Sequence, residues 1–211
     1  MPKIDFEDQI AMLIKEDNVL SDLREYALNN NVPIIRPITQ NILEMIISLS
    51  KPVKVLEIGT AIGFSALVMY NAIKKYAEPD ILTIEKDENR YNIAVNNFLK
   101  YGASINSVLG DAYENMLVLD EQYDFIFLDG PKGQYMKYLP ILIKLMKKDS
   151  VLFVDNLYQD DMITKSRYQI LRRDRTIHSR MKEFIEEIIS EEGLQTSIIS
   201  MADGIAVVRR I

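Results

Sequence analysis

The residues best suited to chemistry are Asp129, Lys132, Asp155 and Asn156. Asp129 follows the apolar run Tyr123–Leu128, and Asp155-Asn156 follows Val151–Val154. Both runs read as buried strands, which puts two carboxylates and an amide at the same ends of strands expected to be neighbours. Carboxylate and amide oxygens are hard donors, the kind Mg²⁺ takes together with water and substrate oxygens. Lys132 stands three residues beyond Asp129 and projects from the same loop. An amine close to a bound cation is pushed toward its neutral form and can serve as a general base. The same residue types also make ordinary helix caps, turns and a solvated lysine, and spacing alone leaves both readings open.

The element that must position these groups is Lys54-Val55-Leu56-Glu57-Ile58-Gly59-Thr60-Ala61-Ile62-Gly63-Phe64-Ser65. It reads as a buried strand, a tight glycine turn and the first turn of a helix, with free backbone N–H groups facing a crevice. It is neither a phosphate-binding P-loop nor the Gly-x-Gly-x-x-Gly dinucleotide fingerprint, since Ala61 and Phe64 break both patterns. Further strands end in Glu85 and in Gly110-Asp111-Ala112. A carboxylate at Glu85 suits the two hydroxyls of a ribose, whichever cofactor carries it, and Asp111-Ala112 would lie beside an adenine.

The strand–helix alternation from Val53 onward predicts an α/β fold with a parallel sheet and right-handed crossovers. A helix is expected over 88–101 and stops at Gly102; another covers 135–148 and a last one 179–191. The pair 196–200 and 205–209, joined by Ala202-Asp203-Gly204, reads as a final hairpin. Ahead of the first strand, two short helices are expected over 4–30, an extended Val32–Pro37 stretch, and a third helix near 39–49 with Thr39 as its N-cap. The 211 residues are expected to form one domain, with 1–50 a helical cap or dimer surface and 51–211 the core. There is no cysteine and one histidine, His178, which excludes thiolate and multi-histidine metal sites and disfavours a Ser-His-Asp triad. No apolar run is long enough for a membrane span and the N-terminus lacks signal-peptide design, so cytoplasmic residence without a membrane partner is expected.

Glu57 to Ser65, Asp129-Gly130-Pro131-Lys132-Gly133-Gln134-Tyr135, Asp155-Asn156 and Ala202-Asp203-Gly204-Ile205-Ala206 occur in that order along the chain. Together they resemble the cation-dependent O-methyltransferase family that includes catechol and caffeoyl-CoA O-methyltransferases. The resemblance implies a Rossmann-like class I methyltransferase fold with a mostly parallel seven-stranded sheet and an antiparallel C-terminal hairpin strand. It implies S-adenosylmethionine as cofactor, contacted by Ile35, Glu57, Gly59, Ser65, Glu85, Asp111, Ala112 and Asp129. It also implies Mg²⁺ held by Asp129, Asp155 and Asn156, with Lys132 as the base and a homodimer as the usual assembly. One departure is Arg36, where relatives often carry Glu.

The family chemistry needs two adjacent oxygens, which catechols and 5-hydroxyuridine both supply. Segment 165–182 bears on the choice, because seven basic residues there face one acid, Asp174, on a chain of net charge −6. Arg167, Arg172, Arg173, Arg175 and Arg180 would form a basic rim for a polyanion, with Tyr158 and Tyr168 available to stack on a base. The bland alternative is a solvated surface segment. The chain most resembles the bacterial methyltransferases of tRNA 5-hydroxyuridine, which implies tRNA as partner; a small-molecule catechol-type acceptor is the other expectation. A non-catalytic binding protein of the same fold would instead tolerate loss of Asp129 and Asp155.

Overall fold

The computed structural model describes residues 18–157 and 175–211, together with residues 10, 13 and 14. Seven strands form one sheet: β1 (Lys54–Ile58), β2 (Asp80–Glu85), β3 (Asn106–Leu109), β4 (Tyr123–Leu128), β5 (Met146–Val154), β6 (Leu194–Ile199) and β7 (Ile205–Arg210). Their order is β3-β2-β1-β4-β5-β7-β6. The first five run parallel, and β7 inserts antiparallel between β5 and β6. The strand order reverses between β1 and β4, and that is where an open α/β sheet leaves its crevice.

The helices are α1 (Ser21–Asn29), α2 (Pro37–Ser50), α3 (Phe64–Lys74), α4 (Glu88–Lys100), α5 (Ala112–Val118), α6 (Tyr135–Leu145) and α7 (Arg175–Ser190). The two-residue period of the strands divides their apolar side chains between the faces. Val55, Phe125, Phe127 and Phe153 join α1 to α4 in one core, and Leu56, Ile58, Ile126, Leu128 and Val154 join α5 to α7 in the other. The Phe127 and Phe153 rings stack at 5.6 Å between centroids. Leu20, Leu23, Leu43 and Ile47 are fully part of the first core, so the helices before β1 are built into the fold. Arg24 ties them together: its guanidinium lies 4.6 Å from the Phe64 ring and donates to the Ile35 carbonyl and to Gln40 Oε1.

Several boundaries differ from the sequence reading. α2 begins at Pro37, with Arg36 in the extended N-cap position; Thr39 is buried inside the first turn and caps nothing. Proline at the first helical position is preorganised for a helix start, and that signal outweighs the hydroxyl two residues later. α5 was not expected; Asp111 caps it by accepting from the N–H groups of Tyr113 and Glu114. α6 stops at Leu145 because β5 starts at Met146, where it pairs with Tyr123. α7 starts at Arg175, ahead of the expected position. Most of the expected first helix lies outside the described residues.

Candidate active site

The residues that follow β1, β3, β4 and β5 are held by ladder hydrogen bonds that continue one residue past each of these strands. Gly59 N–H donates to Ile84 O at 3.1 Å, Asp129 N–H to Ile58 O at 3.0 Å, Asp155 N–H to Leu128 O at 3.1 Å and Gly110 N–H to Glu85 O at 2.8 Å. Asp129 and Asp155 each follow one of the register partners Leu128 and Val154, so their backbones are about one strand spacing apart, roughly 5 Å. Asn156 follows in the left-handed conformation, φ +63°, which asparagine tolerates well. Its Oδ1 accepts a 2.6 Å hydrogen bond from Lys132 Nζ. Asp129, Lys132, Asp155 and Asn156 therefore form one cluster.

The cluster is electrostatically tense. Burial pushes the Asp155 carboxyl up to about 7, aided by the Asp129 charge and opposed by the Asn156 N–H that it accepts. Burial likewise pushes Asp129 up to about 7; Lys132 opposes this, while Glu57 and Asp203 add to it. Two acids that desolvation drives toward the neutral form would be held ionised by a positive charge set between them.

A cleft of about 560 Å³ opens over these strand ends. Of the residues anticipated from sequence, Gly59, Glu85, Asp129, Lys132 and Asn156 line it. Gly59 has φ +95°, and a Cβ there would lie 2.3 Å from the Asp129 carbonyl oxygen, so only glycine lets β1 and β4 meet at the crevice. Glu85 accepts three backbone N–H groups, from Ala61, Lys86 and Asp87, each at 2.8 Å. A carboxylate has about four acceptor sites, so this fixes its orientation and leaves room for one further donor.

The remaining anticipated residues are not among those that line the cleft. Glu57 is completely buried, and its carboxylate accepts from Ser65 Oγ and Thr83 Oγ1, each at 2.5 Å. Burial pushes this acid up to about 7, against those two hydrogen bonds. Ile35 buries its side chain while its carbonyl accepts from Arg24. Asp111 and Ala112 open α5, with Asp111 paired to Lys86 at 3.0 Å. Arg167, Arg172 and Arg173, like Tyr158 and Tyr168, lie outside the described residues. Arg175 starts α7, and Arg180 donates to the Gly133 carbonyl at 3.0 Å.

Sequence reasoning missed Pro33, Arg90 and Ile177, which also line the cleft. Arg90 had a signal, since Asp87 caps α4 through the Arg90 N–H and so sets Arg90 in the first turn of the helix that follows Glu85. Ile177 had none, because only tertiary packing brings α7 to the cleft. Among the described residues, no helix is long and apolar enough to cross a membrane.

The strand order, the glycine turn at the switch point and the acidic strand ends define a Rossmann-like methyltransferase. The chain belongs to the O-methyltransferase family, whose profile matches residues 10–211. It is similar to a caffeoyl-CoA O-methyltransferase of Populus kitakamiensis, with 28% identity over 80% of this chain and 74% of that one. It is also similar to tapetum-specific methyltransferase 1 of Arabidopsis thaliana, with 24% identity over 93% of this chain and 88% of that one. Among solved structures, a Staphylococcus aureus protein assigned to the caffeoyl-CoA O-methyltransferases superposes with a TM-score of 0.88 at 26% identity, covering 97% of this chain and 99% of that one. A Bacillus cereus O-methyltransferase solved with S-adenosylhomocysteine superposes with a TM-score of 0.81 at 20% identity, covering 94% and 93%.

Proposed function

We propose that this chain methylates the 5-hydroxyl of 5-hydroxyuridine at the tRNA wobble position, using S-adenosylmethionine and a divalent cation. The observation that carries the RNA reading is the meeting of α7 with the cleft. The basic run 165–182 ends in this helix; Ile177 lines the cleft and Arg180 is bonded to the Gly133 carbonyl in its wall. An acidic floor next to a helix that carries Arg175 and Arg180 suits an acceptor whose reacting oxygens meet a cation and whose flanking phosphates meet arginine.

The residues fit both bound groups. The cleft volume is that of an ordinary small-molecule site, and Glu85 is oriented toward it with acceptor capacity for a ribose hydroxyl. Asp129, Asp155 and Asn156 offer hard oxygen donors, and the raised acids are the ones a cation would hold ionised. When bound, the cofactor supplies an electrophilic methyl and the cation lowers the pKa of the acceptor hydroxyl. Lys132, whose Nζ already donates to Asn156 Oδ1, would take the proton of the acceptor hydroxyl once a cation beside it favoured the neutral amine. Gly59 and Ala61 keep the floor of the cleft low, and Glu85 would hold a ribose hydroxyl of the cofactor and so orient it.

The second reading, a catechol-like or caffeoyl-CoA-like small acceptor, is favoured by the relatives named above. Transfer of labelled methyl to tRNA bearing 5-hydroxyuridine, run beside a catechol and caffeoyl-CoA, separates the two. Transfer to the tRNA that stops in EDTA and returns with Mg²⁺ is the expected result. Turnover confined to the small acceptors would remove the RNA assignment, and full turnover in EDTA would remove the cation.

A further inference from the structure

Tyr135 opens α6 behind the carboxylate cluster, and its side chain is completely buried. Its ring packs edge-on against Phe184 with centroids 5.3 Å apart. That packing accounts for an aromatic ring and not for a hydroxyl. The hydroxyl has no hydrogen-bond partner among the described residues. The Gly130 N–H faces the phenol oxygen short of hydrogen-bond geometry, and an N–H can only donate to it. The phenolic hydrogen therefore lacks an acceptor, and a buried donor left in that state destabilises a fold.

The charges of Asp129 and Asp155 both bear on the phenol, though neither carboxylate accepts from it in this structure. Both belong to the donor set assigned above to the cation. A metal-bound carboxylate needs a second hydrogen-bonding partner to fix which oxygen points at the ion, and groups that supply it govern affinity nearly as strongly as the ligands. We infer that Tyr135 is a positioning residue for the cation site, its hydroxyl donating to the Asp129–Asp155 pair once a divalent ion occupies it. The inference rests on the cation-dependent reading. It explains why a tyrosine stands where packing alone would accept phenylalanine.

The test is Tyr135→Phe, titrated with Mg²⁺ without cofactor or acceptor and followed by calorimetry and thermal unfolding. The variant should weaken Mg²⁺ binding about 10- to 100-fold, the range found when such an outer partner is removed. In the metal-free protein it should unfold at the wild-type temperature or higher, because an unpaired donor has gone. Phe184→Leu serves as the packing control: it should unfold earlier and keep wild-type Mg²⁺ affinity. Unchanged Mg²⁺ affinity in Tyr135→Phe, or early unfolding of its metal-free form, overturns the inference and leaves the cation reading intact. A wild-type protein that binds no Mg²⁺ would overturn both, and the two failures are told apart by the wild-type titration.

Discussion

Replacing Glu57 by Gln should make the protein less sensitive to pH on the alkaline side, by an amount the structure fixes. Glu57 is completely buried, and burial raises its pKa from 4.5 to about 7, with the Glu85 charge adding to the rise. In the folded protein the neutral acid is therefore favoured over that interval, while the unfolded chain has already released its proton. The sign follows directly. A folded-state pKa above the unfolded one stabilises fully below pH 4.5, and that contribution is lost as pH rises through about 7. The slope is about 1.4 kcal/mol per pH unit, so the loss amounts to about 3 kcal/mol. Glutamine keeps the shape and the carbonyl acceptor, and its amide group can donate to Thr83 Oγ1, which also lies against Thr60 Oγ1. The assay is urea unfolding of both proteins at pH 5, 6, 7 and 8 without metal. Asp155 titrates in both proteins, and the rise that the Glu57 charge adds to Asp129 is lost in the variant, which moves the difference in the same direction. The stability difference should move in favour of Glu57→Gln by about 3 kcal/mol across the series. Parallel curves, or a difference that shifts toward wild type, would show that Glu57 is not held neutral by burial.

Other perturbations probe the frame of the site. Gly59→Ala should lower stability by about 3 kcal/mol in urea unfolding, since it combines left-handed backbone strain with a Cβ 2.3 Å from the Asp129 carbonyl. Asp87→Ala should cost about 1 kcal/mol by the same measurement, because it removes the cap accepted from the Arg90 N–H at 2.9 Å. Lys132→Met should cut kcat about 100- to 10,000-fold in the methyl-transfer assay while leaving the cofactor Kd near wild type, as expected for a residue that moves a proton.

Much of this arrangement was legible in the residues because the sheet reports its own ends. Each core strand is an apolar run, and each run stops where Gly59, Glu85, Asp129 or Asp155 interrupts it. Parallel strands then bring those interruptions to one edge without further information. What was hidden depends on competition between local signals or on long-range packing. Thr39 has the chemistry of a cap, yet Pro37 two residues earlier settles where α2 begins. Residues 146–148 carry the helical character of α6, but pairing of Met146 with Tyr123 draws them into β5. Ile177 reaches the cleft only because it shares an apolar stripe with Met181, Phe184 and Ile188, and that stripe docks α7 on the second core.

The position of Glu57 carries the lesson furthest. As sequence, an acid two residues before a glycine turn suggests direct contact with a cofactor. In the fold, strand alternation turns it toward α3, the same side as Val55, where Ser65 and Thr83 meet it. A side chain one residue to either side would face the other core, where Leu56 and Ile58 pack. Glu57 therefore acts on the cleft through its neighbours. It joins the first turn of α3 to β2, while Thr60, from the glycine loop itself, contacts Thr83. The glycine loop at the cleft is thus braced by a buried acid whose proton, rather than its charge, suits the surroundings.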